Sequence, residues 1–104
     1  MPYLLSEELT FPNPRDAWED DNGLIAVGGD LTAERLVLAY SYGIFPWYSD
    51  NDPILWWSPN PRTVLYLDAL KVSRSLRKSI RNKGYEVYLN RDFAAVIEAC
   101  AQSR

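Results

Sequence analysis

The chain has 104 residues, 47% of them hydrophobic and 24% charged, enough for one domain or for one domain and a piece of another. Its 13% aromatic content excludes a disordered chain, and its single cysteine, Cys100, excludes an internal disulfide framework. No apolar run nears the roughly 18 residues of a membrane span, and Met1-Pro2-Tyr3 lacks the opening of a signal peptide, so a soluble cytoplasmic chain with no membrane partner is expected.

Charge is divided unevenly. Residues 1–60 hold ten acids against two bases, net −8, while residues 61–104 hold four acids against nine bases, net +5. Such a division suits a polyanion gripped by the second half. It also suits two halves of opposite sign packed on one another.

In chain order, Pro12 and Pro14 predict an irregular arm with Phe11 as its docking residue. Asp20-Asp21-Asn22-Gly23 is a turn signal, followed by the apolar run Leu24-Ile25-Ala26-Val27. Gly28-Gly29-Asp30 lacks the spacing of a phosphate-binding loop and reads as a tight turn. Thr32 is a good N-cap, with Leu31 and Leu36 at the positions of a hydrophobic staple. Ala33, Leu36, Val37 and Tyr40 recur at helical spacing and are expected to form the buried stripe, and Gly43 is expected to stop the helix. Ile44-Phe45-Pro46-Trp47-Tyr48 is broken by a proline and is expected as a fixed loop.

Residues 54–58 and 63–67 read as strands, with prolines on both sides of Asn60 ruling out the usual two-residue hairpin turn. A second helix is expected from about Val72 to Asn82, ending at Gly84. Tyr85, Val87 and Leu89 alternate with polar neighbours as in a half-buried strand. Asn90 is expected to cap a third helix, with Phe93, Val96, Ile97 and Cys100 on one apolar face, where Cys100 would be a buried small hydrophobe.

Two features bear on chemistry. At 100° per residue, Arg74, Arg77, Lys78 and Arg81 fall within one arc of a helix about 100° wide, opposite Val72, Leu76 and Ile80. No acid within that arc offsets them, so the face is either solvated or laid against phosphates. Secondly, Phe45, Trp47, Tyr48, Trp56 and Trp57 crowd into thirteen residues. Neighbouring Trp56 and Trp57 cannot share a strand face, so one meets the core and the other a second layer or a ligand. Trp47, in a loop behind a proline, is the stronger candidate for ligand contact.

The sequence has no histidine, no zinc-type cluster and no calcium-loop pattern, and Ser73 and Ser75 lack a base to activate them. On these residues alone, an RNA-binding module and a protein-docking module both remain open.

Several blocks narrow the choice. Residues 22–31 (Asn22-Gly23-Leu24-Ile25-Ala26-Val27-Gly28-Gly29-Asp30-Leu31), Tyr42 to Tyr48, Pro53 to Pro59, Pro61-Arg62 and Val72 to Lys78 occur in an order and spacing that resemble the leucyl/phenylalanyl-tRNA–protein transferase family. The resemblance runs from about Phe11 to Ala101. It implies a bacterial cytoplasmic enzyme that moves Leu, Phe or Met from aminoacyl-tRNA to the N-terminal Arg or Lys of an acceptor protein, marking it for degradation. It implies an α+β fold: a small N-terminal α/β domain at 1–60, then the first strand-helix-strand-helix of a GNAT-like domain at 61–104.

The family's proposed catalytic acid and its neighbouring glutamine would lie beyond Arg104, so no catalytic residue is assigned here and the chain alone is expected to be inactive. By the same resemblance Trp47, with Phe45 and Tyr48, would border the bound aminoacyl-adenosine. Arg74 would contact tRNA, with Arg77, Lys78 and Arg81 extending its face. No cofactor or metal is implied.

Overall fold

The computed structural model describes residues 2–17 and 22–103, in two compact units, Met1–Val64 and Leu65–Arg104. Across both, the described residues form a mixed α/β structure of three α-helices and a four-stranded sheet.

In the first unit the elements are β1 (Tyr3–Leu5), a 3₁₀ turn (Pro14–Ala17), β2 (Leu24–Gly28), α1 (Ala33–Ser41), β3 (Phe45–Pro46) and β4 (Leu55–Trp57). The sheet order is β1-β2-β4-β3. β1 runs parallel to β2, with Tyr3 opposite Ala26 and Leu5 opposite Gly28, so the first residues are a strand and not the irregular arm expected. The prolines at 12 and 14 act only after that pairing is complete. β3 pairs antiparallel with β4, Phe45 opposite Trp57 and Pro46 opposite Trp56, so two residues of the loop expected at 44–48 form a short strand instead. An outer strand tolerates the missing N–H of Pro46, and the Trp47 N–H resumes the pairing by donating to the Leu55 carbonyl at 3.0 Å. Between β2 and β4, Leu24 faces Trp57 and Ala26 faces Trp56, leaving Ile25 as the extra residue of a bulge.

The core gathers Ile25, Ala26, Ala39, Ile44 and Trp56, with Leu5, Phe11, Leu36 and Ile54 packed around it. Phe11 docks as expected, its ring edge-on to Trp56 with centroids 5.0 Å apart. The Trp56 indole N–H donates to the Gly28 carbonyl at 2.9 Å, so the ring is buried with its polar atom satisfied. Truncating a buried tryptophan of this kind to alanine costs about 3–5 kcal/mol.

Thr32 caps α1 as its sequence position implies, its hydroxyl accepting from the Arg35 N–H at 3.3 Å. The other end closes with paired bonds from the Gly43 N–H to the Tyr40 carbonyl and from the Ile44 N–H to the Ala39 carbonyl. This turn returns Ile44 to the core beside Ala39.

The buried side of α1 is not the expected stripe. Arg35 and Ala39 are buried and Leu36 half-buried, whereas Ala33, Val37 and Tyr40 face solvent. The helix is turned by Arg35, whose Nη2 donates to the Ser6 carbonyl at 2.9 Å and to Asp30 Oδ2 at 3.3 Å. The small Ala39 then lets the helix lie close to its neighbours. At the turn before β2, Asn22 and Gly23 both have positive φ, and a Cβ on Gly23 would stand 2.5 Å from Pro59 Cα, so only glycine fits there. Asp20 and Asp21 of the predicted turn lie outside the described residues, as do Glu19 and Arg104 of the charge count.

The second unit holds a 3₁₀ turn (Leu67–Ala69), α2 (Arg74–Asn82) and α3 (Phe93–Gln102). α2 starts after Ser73, whose hydroxyl accepts from the Leu76 N–H at 3.1 Å, so Val72 precedes the helix. No strand forms at 63–67 or 85–89, and the expected hairpin is absent among the described residues. An alternating pattern becomes a strand only when a neighbour completes its ladder, and this unit provides none.

Asp92, at φ 55°, takes the N-cap position of α3 without a side-chain bond, displacing the expected Asn90. Cys100 is exposed, not buried, because the apolar face it shares with Phe93, Val96 and Ile97 has nothing in the unit to pack on. No described residue of 65–103 is buried.

Candidate ligand-binding site

β3 and β4 place the aromatic residues on opposite sides of the sheet. Because side chains alternate along a strand, Trp56 enters the core and Trp57 turns to the other face, level with its partner Phe45. Trp57 is half-buried, and its indole N–H donates to the Trp47 carbonyl at 2.7 Å, tying the segment after β3 to β4. The Trp47 side chain itself is 64% exposed and Tyr48 is 38% exposed. Phe45, Trp47 and Trp57 thus share one patch, and Tyr48 follows in the same segment.

Arg62 joins this patch. Its guanidinium lies over the Phe45 ring, 4.8 Å from the centroid, and Nη1 donates to the Gly43 carbonyl. The rigid Pro59-Asn60-Pro61 run, with a cis bond before Pro61, leads directly into it. In the sequence, Pro61-Arg62 stands out only as one of the family-like blocks, with no task for the arginine. The signal available was its place as the first base after the acidic stretch, but partners 17 and 19 residues back do not show in local pattern.

Chemically the patch offers flat apolar faces and one oriented cation. It contains no nucleophile and no general base, and the sequence has no histidine anywhere. Among the described residues no group of three or more His, Cys, Asp or Glu is gathered as a metal site would require. A cleft of about 430 Å³ opens by the far edge strand β1, lined by Tyr3, Leu4, Asn13 and Asp16 among others, away from the aromatic strand pair.

In the second unit, Arg74, Arg77, Lys78 and Arg81 are all exposed along α2. The ion pair formed among the described residues of that unit is Arg91 with Asp92 at 3.7 Å, and none of the four α2 cations takes part in one. Their helix has no acid in its first turn to offset them.

Comparison with known proteins bears on this arrangement. The pattern of the leucyl/phenylalanyl-tRNA protein transferase N-terminal domain matches residues 29–60, and that of the leucyl/phenylalanyl-tRNA protein transferase itself matches residues 64–104. A leucyl/phenylalanyl-tRNA–protein transferase of Pseudomonas entomophila (strain L48) is 58% identical over the whole chain, covering 46% of that relative. The protein of the same name from Colwellia psychrerythraea (strain 34H) is 55% identical over 102 residues, 97% of this chain and 42% of the relative. The chain belongs to the leucyl/phenylalanyl-tRNA–protein transferase family.

The family is one of enzymes, transferases by name, and the chain spans about half the length of the curated relatives it matches. The first transferase pattern includes Phe45, Trp47 and Tyr48, and the second includes the four α2 cations. Arg62 falls in the short gap between them. No described helix is long and apolar enough to cross a membrane.

Proposed function

We propose that this chain is the N-terminal part of a cytoplasmic enzyme that transfers Leu, Phe or Met from aminoacyl-tRNA to the N-terminal Arg or Lys of acceptor proteins, marking them for degradation. The observation that carries the proposal is the 58% identity to a transferase of that name, sustained across all 104 residues. In this reading residues 1–60 form the small N-terminal domain and residues 61–104 open a GNAT-like domain. Trp47, with Phe45 and Tyr48, borders the aminoacyl-adenosine end, and Arg74, Arg77, Lys78 and Arg81 grip the acceptor stem through its phosphates.

The reaction is aminolysis of an ester. The acceptor's α-amine attacks the aminoacyl carbonyl carbon, and the ribose hydroxyl leaves with the proton the amine gives up. An aminoacyl ester is already activated, so much of the rate comes from holding amine and carbonyl in register. The exposed indole of Trp47 supports this, since stacking of a base on such a ring is worth about 1–3 kcal/mol. Recognition of the stem by shape and phosphate supports the α2 assignment, because side chains read little sequence in an A-form groove. The aromatic patch holds no general base and the sequence no histidine, so the chain alone is expected to carry out no transfer.

A chimera tests this directly. Residues 1–104 replace their counterparts in the Pseudomonas entomophila relative, and transfer of labelled Phe from Phe-tRNA to an Arg-initiated peptide is measured. The expected results are transfer by the chimera, none by the 104-residue chain, and a loss on Trp47→Ala that is larger in transfer than in tRNA affinity. A folded chimera that binds tRNA without transferring would instead favour a stand-alone RNA-binding module. Equal losses on Trp47→Ala would make that residue structural.

A further inference from the structure

We infer that Arg62 and Trp47 form a nucleotide-recognition pair, the guanidinium taking a phosphate and the indole the attached purine. The inference rests on the transferase reading and adds to it a charged contact that the aromatic residues alone do not supply. Four observations carry it. Arg62 is exposed, yet its head is fixed at two points, over the Phe45 ring 4.8 Å from its centroid and bonded through Nη1 to the Gly43 carbonyl. Nε and Nη2 have no acceptor among the described residues, so one edge of the fork remains available. No carboxylate among the described residues lies within ion-pair distance of it, although residues 1–60 carry ten acids. Finally, Trp47 is linked to the same patch, its carbonyl held by the Trp57 indole at 2.7 Å while its own ring is 64% open to solvent.

A guanidinium that is already held over a ring and tethered loses little freedom when it binds, and its planar fork matches two phosphate oxygens better than a lysine's point charge does. An open indole on the same strand pair, two residues after Phe45, favours a base over a simple anion. A single nucleotide carries both groups, and the terminal nucleotide of an acceptor stem ends in just such a purine with its 5′-phosphate. The two matched family patterns leave Arg62 between them.

The test is a tryptophan-fluorescence titration of the 104-residue chain at low ionic strength, with adenosine and with adenosine 5′-monophosphate as probes. The wild type is expected to bind the monophosphate at least fivefold more tightly than adenosine. Arg62→Ala should abolish that preference, weakening the monophosphate at least fivefold more than adenosine. Arg62→Lys, which keeps the charge and removes the fork, should recover part of it. Trp47→Phe should remove most of the fluorescence response. Equal binding of the two probes by the wild type overturns the inference while leaving the aromatic site standing. Equal weakening of both probes by Arg62→Ala also overturns it, making Arg62 a pin for the Gly43 turn. Failure of both probes to quench overturns this inference and the aromatic-site reading together.

Discussion

Arg35 goes into the core with its charge, and its surroundings explain how. The side chain is fully buried, with Nη2 bonded to the Ser6 carbonyl and Asp30, Nε 3.3 Å from Asp30 Oδ1, and the head 5.9 Å from the Phe11 ring centroid. Neither Nη1 nor Nε makes a hydrogen bond among the described residues, Nε being held by the Asp30 charge alone. Gly29, at φ 77°, makes room: a Cβ there would sit 3.2 Å from Arg35 Nε and 3.0 Å from Leu5 Cδ1. Asp30 is half-exposed and keeps its charge readily, its carboxyl held below the ordinary 3.8 first by the Thr32 hydroxyl and then by Arg35. The stability Asp30 contributes is therefore complete above pH 3.8 and is lost as pH falls through its lower folded-state value. Asp30→Asn should flatten that acid-side loss in thermal melts. It should also lower Tm at pH 7 more than Arg35→Met does, because it strands a buried cation whereas the methionine fills the same space without charge. The reverse order would show that Arg35 is held chiefly by Ser6 and Phe11.

The elements differ in what supports them. β2, β4 and α1 share a core around Trp56, whereas α2 and α3 have apolar residues such as Leu76, Ile80, Val96 and Ile97 exposed in their own unit. Hydrogen exchange should therefore find the strongest amide protection in Leu24–Gly28, Leu55–Trp57 and Ala33–Ser41, with α2 and α3 exchanging at least tenfold faster. Comparable protection in both units would show that residues 65–103 acquire a core that their own packing does not provide.

The same contrast explains what sequence could and could not convey. Thr32 and Gly43 bracket α1 through bonds to residues within a few positions, and both are legible locally. The face that α1 buries depends on Asp30, Ser6 and Phe11, and Ser6 is 29 residues away, so the apolar spacing of Val37 and Tyr40 misleads. The alternation at 85–89 is a readable strand pattern without a partner to complete it. In the site, the opposed faces of Trp56 and Trp57 follow from strand period alone, while the Arg62 interactions depend on the chain returning to Gly43 and Phe45.

At the scale of the whole molecule, the division of charge is the property on which the proposed function draws most. The first 60 residues are net −8, the remainder net +5, and four of the later cations line one side of α2 without an ion-pair partner among the described residues of their unit. Like charges at helical spacing cost a few tenths of a kcal/mol per pair, so the arrangement weakens the isolated helix slightly. In the proposed function an RNA backbone would offset that cost and release counterions on binding, which would make affinity fall steeply with salt. The most direct measurement is filter binding of tRNA across a salt series, comparing the chain with a variant in which Arg74, Arg77, Lys78 and Arg81 are all alanine. The variant is expected to fold, to bind more weakly, and to show a log–log salt slope shallower by about 3, since each phosphate that a cation neutralises adds roughly 0.7–0.9 to the slope. An unchanged slope and affinity would contradict a phosphate-binding role for α2.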